Sequence, residues 1–308
     1  MCWTLKQLFS LEGQPPLVFK GGTSLSKVFG LIDRFSEDID VAFDRTWFGF
    51  VDDRDPENAP SRKATEKLIK DLHAACEAHI ASVLLPALNE SFDAAEPLGD
   101  WALSIDPGDT QALAFEYPQS LGTDVYGGAT YVQRRVLIEL GARSDHSPAG
   151  DYPIRPYAAD EFPDLFEDSA TTVHTLEARR TFWEKATLLH WLYHRQNPSE
   201  KYVLRNSRHY YDLAMMAQSP VRDHAVGETE LLSRVVQHKS VYFKAAWARY
   251  DEAATGALHL VPNDELLGLL EADYERMQEM FFSDPPTFDE IGKILQDLEE
   301  EVNRQLAS

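Results

Sequence analysis

The sequence is short of cysteine, of positive charge and of long apolar runs. Cys2 and Cys76 are the only cysteines in 308 residues, and neither has a close partner to make a redox or zinc pair. That usage predicts a reduced, cytoplasmic setting and no disulfide framework. Lys and Arg number 29 against 51 Asp and Glu, a formal charge of −22. So acidic a chain is not built for broad, nonspecific nucleic-acid binding, because phosphate contacts need clustered cations. No run approaches the roughly 18 to 20 apolar residues that span a bilayer, so no membrane partner is expected. The opening stretch Met1-Cys-Trp-Thr-Leu-Lys-Gln-Leu-Phe9 lacks a signal peptide's apolar segment and small-residue cleavage site. Three catalytic signatures are missing as well: the P-loop Gly-x-x-x-x-Gly-Lys-Ser/Thr, the kinase pair His-Arg-Asp and Asp-Phe-Gly, and the zinc-protease His-Glu-x-x-His. His190 and His194 have the spacing of the last but no glutamate after the first histidine, and are expected at the surface.

With 44% hydrophobic and 11% aromatic residues, the chain has ample material for a core. Its most informative stretch is Leu17 to Phe43, which reads as strand, glycine turn, helix and second strand. Leu17, Val18 and Phe19 form an apolar run that stops at Gly21-Gly22, where a backbone without Cβ turns tightly or approaches a ligand closely. Thr23 and Ser24 are good N-cap residues, with Leu25, Val28, Phe29 and Ile32 as a helical stripe behind them. Amides at such a helix start suit a phosphate. On the second strand, Asp38 and Asp40 alternate with Ile39 and Val41, which puts both carboxylates on one face. Adjacent carboxylates repel unless a cation joins them, and hard oxygen ligands favour Mg²⁺.

A glycine-rich turn followed by Asp-x-Asp resembles the polymerase-β-like nucleotidyltransferase superfamily. The fuller strings Lys20-Gly-Gly-Thr-Ser-Leu25 and Arg34-Phe-Ser-Glu-Asp-Ile-Asp40 resemble, more specifically, the AbiEii/AbiGii toxin nucleotidyltransferases. Two later segments extend the likeness: Trp183-Glu-Lys185 and Ser207-Arg-His-Tyr-Tyr-Asp-Leu213. The resemblance implies an α+β fold: a nucleotidyltransferase domain with a mixed sheet, then an α-helical domain that contributes a lysine and an aspartate to the active site. It implies Asp38, Asp40, Lys185 and Asp212 as catalytic residues. Lys20, Gly21, Gly22, Thr23, Ser24 and Ser36 fall where the nucleotide would bind. Asp38 and Asp40, with Glu139 on a later strand, would hold Mg²⁺, and a nucleoside triphosphate would be the substrate. A cognate antitoxin, a role in phage defence and an RNA acceptor such as the tRNA 3′ end are implied in the same way. A small-molecule transferase of the antibiotic-modifying kind, or a protein-modifying one, is the alternative.

Other residues have simpler readings of their own. Lys185 lies in the apolar face of a helix between Phe182 and Leu189, and a buried ammonium needs a partner or a ligand. Asp212 could pair with Arg208 four residues before it. Glu139 could pair with Arg135 or Arg143. Helices are expected over 1–14, 61–88, 176–196, 235–250, 265–282 and 288–306, and strands over 101–105, 112–117 and 131–140. The Asp-, Pro- and Tyr-rich stretch 144–172 marks the junction, giving domains of 1–150 and 151–308. Charge is uneven: thirteen acids face two bases between Asp264 and Glu301, whereas twelve Lys and Arg face seven acids between His174 and Tyr250. That basic excess could supply a local RNA contact if Arg179, Arg180, Lys201, Arg205 and Arg208 gather.

Overall fold

A computed structural model describes residues 1–36, 38–95, 99–118, 135–166 and 170–307. Two compact units share the chain, and the division is not a single cut: Met1–Val28 and Ser36–Leu176 form the first, Phe29–Phe35 and Glu177–Ser308 the second. The architecture is α+β, with a mixed sheet in one unit and helices in the other.

The first unit is organised on a seven-stranded sheet. Its strands are β1 (Leu17–Lys20), β2 (Asp38–Phe43), β3 (Ala102–Asp106), β4 (Asp109–Glu116), β5 (Val136–Gly141), β6 (Ala149–Ile154) and β7 (Thr171–Leu176), in the order β3-β4-β5-β2-β1-β7-β6. β1 runs antiparallel to β2 and parallel to β7, while β2 runs parallel to β5. Residues 131–134, the start of the third expected strand, lie outside the described residues, as does Glu37. The sequence boundary at residue 150 cuts through β6, and both β6 and β7 pair with the sheet, so this unit runs on to Leu176. β6 carries Pro153 and stands at the sheet's edge, where a missing backbone donor does no harm.

Helices cover the sheet. α1 (Cys2–Phe9) and α2 (Gly21–Lys27) precede the long helical stretch of α3 (Arg62–His79) and α4 (Leu85–Ala94), which a π-turn at Ile80–Leu84 joins. Ser61 starts α3 by accepting a hydrogen bond from the Ala64 amide. His79 packs edge-on against Phe43 and Phe48 and bonds Gln14, as a boundary histidine does.

Among the described residues, the named elements of the second unit are helices: α6 (Ala178–Tyr193), α7 (Glu200–Val203), α8 (Ser207–Ala217), α9 (Val221–Val226), α10 (Thr229–Tyr242), α11 (Tyr250–Ala253), α12 (Asp264–Arg276) and α13 (Phe288–Leu306), with an isolated bridge between Arg34 and Phe281; α5 (Tyr157–Glu161) belongs to the first unit. α6 is buried on most of its circumference, which places it at the middle of the bundle. α13 opens with a capping box between Thr287 and Glu290 and buries Ile291, Leu295, Leu298 and Val302 at helical spacing. His190 is fully buried, not a surface residue: its Nε2 meets the Arg249 carbonyl and its Nδ1 accepts from the His259 amide. Two ring nitrogens satisfied by backbone explain a buried histidine. The burial also pushes its pKa down to about 4, so it is neutral at neutral pH.

The segment Phe29–Phe35 is held in the helical unit by backbone as well as by side chains. The Phe35 amide donates to the Met280 carbonyl (2.6 Å), the Phe282 amide to the Asp33 carbonyl (3.3 Å), and the Asp33 amide to the Tyr211 hydroxyl (3.2 Å). The expected helical stripe is thereby cut short: α2 stops at Lys27, and Phe29 and Ile32 lie beyond it.

Candidate active site

The residues singled out in the sequence form two clusters, one in each unit. The first is built on β1, β2 and β5. Period-two alternation holds on β2: Ile39 and Val41 are buried, while Asp38 and Asp40 stand half-buried on the other face. Register then decides the neighbours of Asp40. Lys20 is opposite it on β1 and Glu139 opposite it on β5. The Lys20 ammonium is 3.8 Å from the Asp40 carboxylate. Asp38 lies beside Leu137, one pleat away from Glu139.

Gly21, directly after β1, has φ +79°, and a Cβ there would lie 1.9 Å from Oδ2 of Asp40. Only glycine allows both this backbone conformation and this approach of a carboxylate. α2 starts at Gly21, with Lys20 in the N-cap position, so Thr23 and Ser24 stand in the first turn and do not cap it. Both are fully buried. The Thr23 hydroxyl contacts the Ser36 hydroxyl (2.8 Å) and the Asp38 carbonyl, and the Ser24 hydroxyl donates to the Gly21 carbonyl (2.8 Å). These bonds tie the glycine turn to the start of β2 and fix where the two aspartates emerge.

Asp38, Asp40 and Glu139 are hard oxygen donors, the chemical type that divalent cations such as Mg²⁺ take. Loss of surrounding water, and then the charges of Asp40 and Asp38, push the Glu139 carboxyl up to about 8. Glu139 is partly open to solvent, and the charges of Asp40 and Asp38 beside it repel its own. A hard cation is the partner that relieves such crowding. Among the described residues, no three His, Cys, Asp or Glu side chains converge on one cation position. The cluster presents Asp40 with Glu139 as a close pair and Asp38 beside them on the same face.

The second cluster is buried in the helical unit and centres on Asp212 of α8. Arg34 clasps this carboxylate from two directions, Nε to Oδ1 at 2.7 Å and Nη2 to Oδ2 at 2.8 Å, and Lys185 of α6 donates to Oδ2 at 2.7 Å. Exposure is 2% for Arg34, 6% for Lys185 and 0% for Asp212, so two cations share one carboxylate out of contact with water. Burial works to raise the Asp212 pKa, but Arg34 and then Lys185 outweigh it and hold the carboxyl far below the usual range. Burial lowers the Lys185 pKa; Asp212 opposes this, and Arg34 adds to it. The Asp212 direction points to an ionised carboxylate held by the Arg34 guanidinium, while burial works against the charge on Lys185 and Asp212 works for it. Lys185 also lies 3.3 Å from Nδ1 of His209. Burial first, then the Lys185 charge, keep His209 well below the usual histidine range, so the neutral ring accepts this bond. Asp212 and His209 take two of the three ammonium hydrogens of Lys185.

The partners of Asp212 are Arg34 and Lys185, whereas Arg208 is the simpler alternative by sequence spacing. Arg34 and His209 carry no assigned role in the sequence reading. The signal for both is their place inside the motif strings, since neither periodicity nor spacing points from residue 34 to residue 212. The supposed basic gathering is partly used up elsewhere. Arg179 pairs with Glu177 (2.6 Å) and Glu228, and the fully buried Arg180 pairs with Glu184 (3.2 Å). Lys201 is exposed. Arg205 adopts a left-handed φ of 68°, its amide held by the buried Asp273 at 2.8 Å; Asp273 also takes the Ser207 amide and hydroxyl.

No curated protein matches the chain in sequence. Among solved structures, MenT4, a nucleotidyltransferase toxin from Mycobacterium tuberculosis H37Rv, aligns with a TM-score of 0.43 and 16% identity over 99% of this chain and 90% of that one. The family described as nucleotidyl transferase AbiEii toxin, type IV toxin–antitoxin system, matches residues 3–294, nearly the whole length, and the chain belongs to that family of nucleotidyltransferases.

Proposed function

We propose that this toxin transfers a nucleotide from a nucleoside triphosphate to the 3′ end of an RNA, tRNA being the foremost candidate, in a Mg²⁺-dependent reaction in the cytoplasm. The observation that carries the reading is the register of β2 and β5, which crowds Asp40 against Glu139 on the face that bears Asp38. Bound there by Asp38, Asp40 and Glu139, Mg²⁺ would supply charge for the triphosphate and a lowered pKa for the acceptor hydroxyl. Lys20 and the glycine turn have a positioning task. Gly21 lets Asp40 approach the backbone, and Thr23 and Ser36 fix the strand entry. With the Thr23 and Ser24 hydroxyls engaged internally, phosphate contact falls to the backbone of Gly21 and Gly22. Lys185 would neutralise charge that grows on the departing pyrophosphate, using the ammonium hydrogen that Asp212 and His209 leave. Asp212 orients Lys185, and Arg34 keeps Asp212 ionised. Growth arrest, countered by an antitoxin, is the expected outcome in a cell, with phage defence as its use.

The test is incubation of the purified protein with each α-labelled nucleoside triphosphate, total RNA and Mg²⁺, resolved on a gel. A labelled band of tRNA size with one nucleotide supports the reading. Label on a small hydroxylated compound or on a protein, with none on RNA, transfers the assignment to the small-molecule or protein-modifying alternative.

A further inference from the structure

The helical unit carries an aromatic cluster that the proposed chemistry does not use. Trp191 near the end of α6, Tyr202 in α7 and Trp247 in the segment after α10 lie together, with ring centroids 5.8 Å apart for Trp191 and Tyr202 and 6.1 Å for Trp191 and Trp247. The Arg195 guanidinium lies 3.4 Å from the Tyr202 ring centre, 5.4 Å from that of Trp247 and 5.7 Å from that of Trp191. Three rings around one cation would make an ordinary core cluster if they were buried, but they are not. Trp247 is 40% exposed, and Trp191, Tyr202 and Arg195 are each partly open to solvent.

Charge around the cluster runs against that of the chain. Residues 191–205 and 239–252 contain six Lys and Arg (Arg195, Lys201, Arg205, Lys239, Lys244 and Arg249) against three acids, Glu200, Asp251 and Glu252, of which Glu252 pairs with Arg249. Lys201, Lys244 and Arg249 are exposed. A polyanion with flat apolar faces complements such a surface: cations meet the phosphates while rings and guanidinium stack on the bases. A base-paired duplex does not fit equally well, because its bases are already stacked on one another. We propose that this face binds single-stranded RNA, with bases stacked on Trp247 and Trp191 and phosphates met by Arg195, Lys201 and Lys244. The choice of RNA over other single strands rests on the RNA-acceptor reading above. The proposal adds a place for the acceptor that a net charge of −22 would not suggest.

The experiment is fluorescence anisotropy on the full-length protein, without nucleotide. The probes are a fluorescein-labelled oligouridylate of about twelve residues and the same strand paired with oligoadenylate. The expected result is tighter binding of the single strand, weakened roughly tenfold by Trp247→Ala, as loss of one stacked base would produce, and retained in Trp247→Phe. Equal binding by Trp247→Ala and the unmodified protein, equal affinity for the duplex, or no single-strand binding at all overturns the proposal. Because the assay involves no transfer, the two readings fail separately. RNA labelling with binding unmoved by Trp247→Ala removes only the platform. Binding lost in Trp247→Ala with no RNA ever labelled removes only the acceptor.

Discussion

The buried cluster of Arg34, Lys185 and Asp212 predicts opposite outcomes for its members. Its charges sum to one excess cation, since a single carboxylate serves two donors. Asp212→Asn strands both cations in a place where Arg34 is 2% and Lys185 6% exposed. Breaking a buried pair in this way costs about 3–5 kcal/mol. At about 2–4 °C per kcal/mol for a protein of this size, Tm should drop by roughly 6–20 °C. Lys185→Met removes the ammonium, leaves the two-point Arg34–Asp212 pair whole and keeps a side chain of similar length. Its Tm should hold or rise, because replacement of a buried charge by a hydrophobic residue of similar size is commonly neutral or better. Transfer activity should collapse in both variants. Thermal unfolding followed by circular dichroism, beside a turnover assay on the same samples, separates the cases. A Lys185→Met protein as unstable as Asp212→Asn, or one that is fully active, would refute the reasoning.

Acid stability follows from the same cluster. The folded pKa of Asp212 is depressed, so its contribution is complete above the ordinary aspartate value of about 3.9 and is lost only as pH falls below that value towards the folded one. Acid unfolding monitored by circular dichroism should therefore begin at higher pH in Asp212→Asn, and superimposable curves would contradict this. Glu139→Gln should relieve the crowding with Asp40 and raise Tm near pH 8 without added metal, while weakening Mg²⁺ binding by calorimetry; unchanged Mg²⁺ affinity would take Glu139 out of the metal set. Gly21→Ala forces a Cβ to within 1.9 Å of Asp40 Oδ2 at φ +79°, so it should cost about 1–2 kcal/mol in backbone strain and displace the carboxylate. Stability measured in urea and transfer activity should both fall; normal activity would show that Asp40 moves aside freely.

The strand–turn–helix–strand stretch was legible because its signals are local. An apolar run stops at two glycines, and alternation on β2 puts Asp38 and Asp40 on one face. Glu139 was legible by order along the chain, and register makes it the neighbour of Asp40. What the sequence hid is long-range or depends on an edge. The bond from Arg34 to Asp212 crosses 178 positions, and nothing periodic announces it. The passage of residues 29–35 into the helical unit breaks an apolar stripe that reads as one continuous helix. β6 looked like a linker because Asp151 and Pro153 suit an edge strand as well as a loop. His190 looked like a surface residue because its two partners are backbone groups that sequence spacing does not display.

The central claim is that the carboxylates of β2 carry the chemistry of this toxin. It is tested most directly by expressing the unmodified protein, Asp38→Asn and Asp40→Asn at equal levels, scoring growth, and measuring Mg²⁺-dependent transfer from labelled nucleoside triphosphate with each purified protein. The account predicts arrest and transfer with the unmodified protein and neither with either variant, at unchanged circular dichroism. Arrest and transfer that persist in both variants would contradict it.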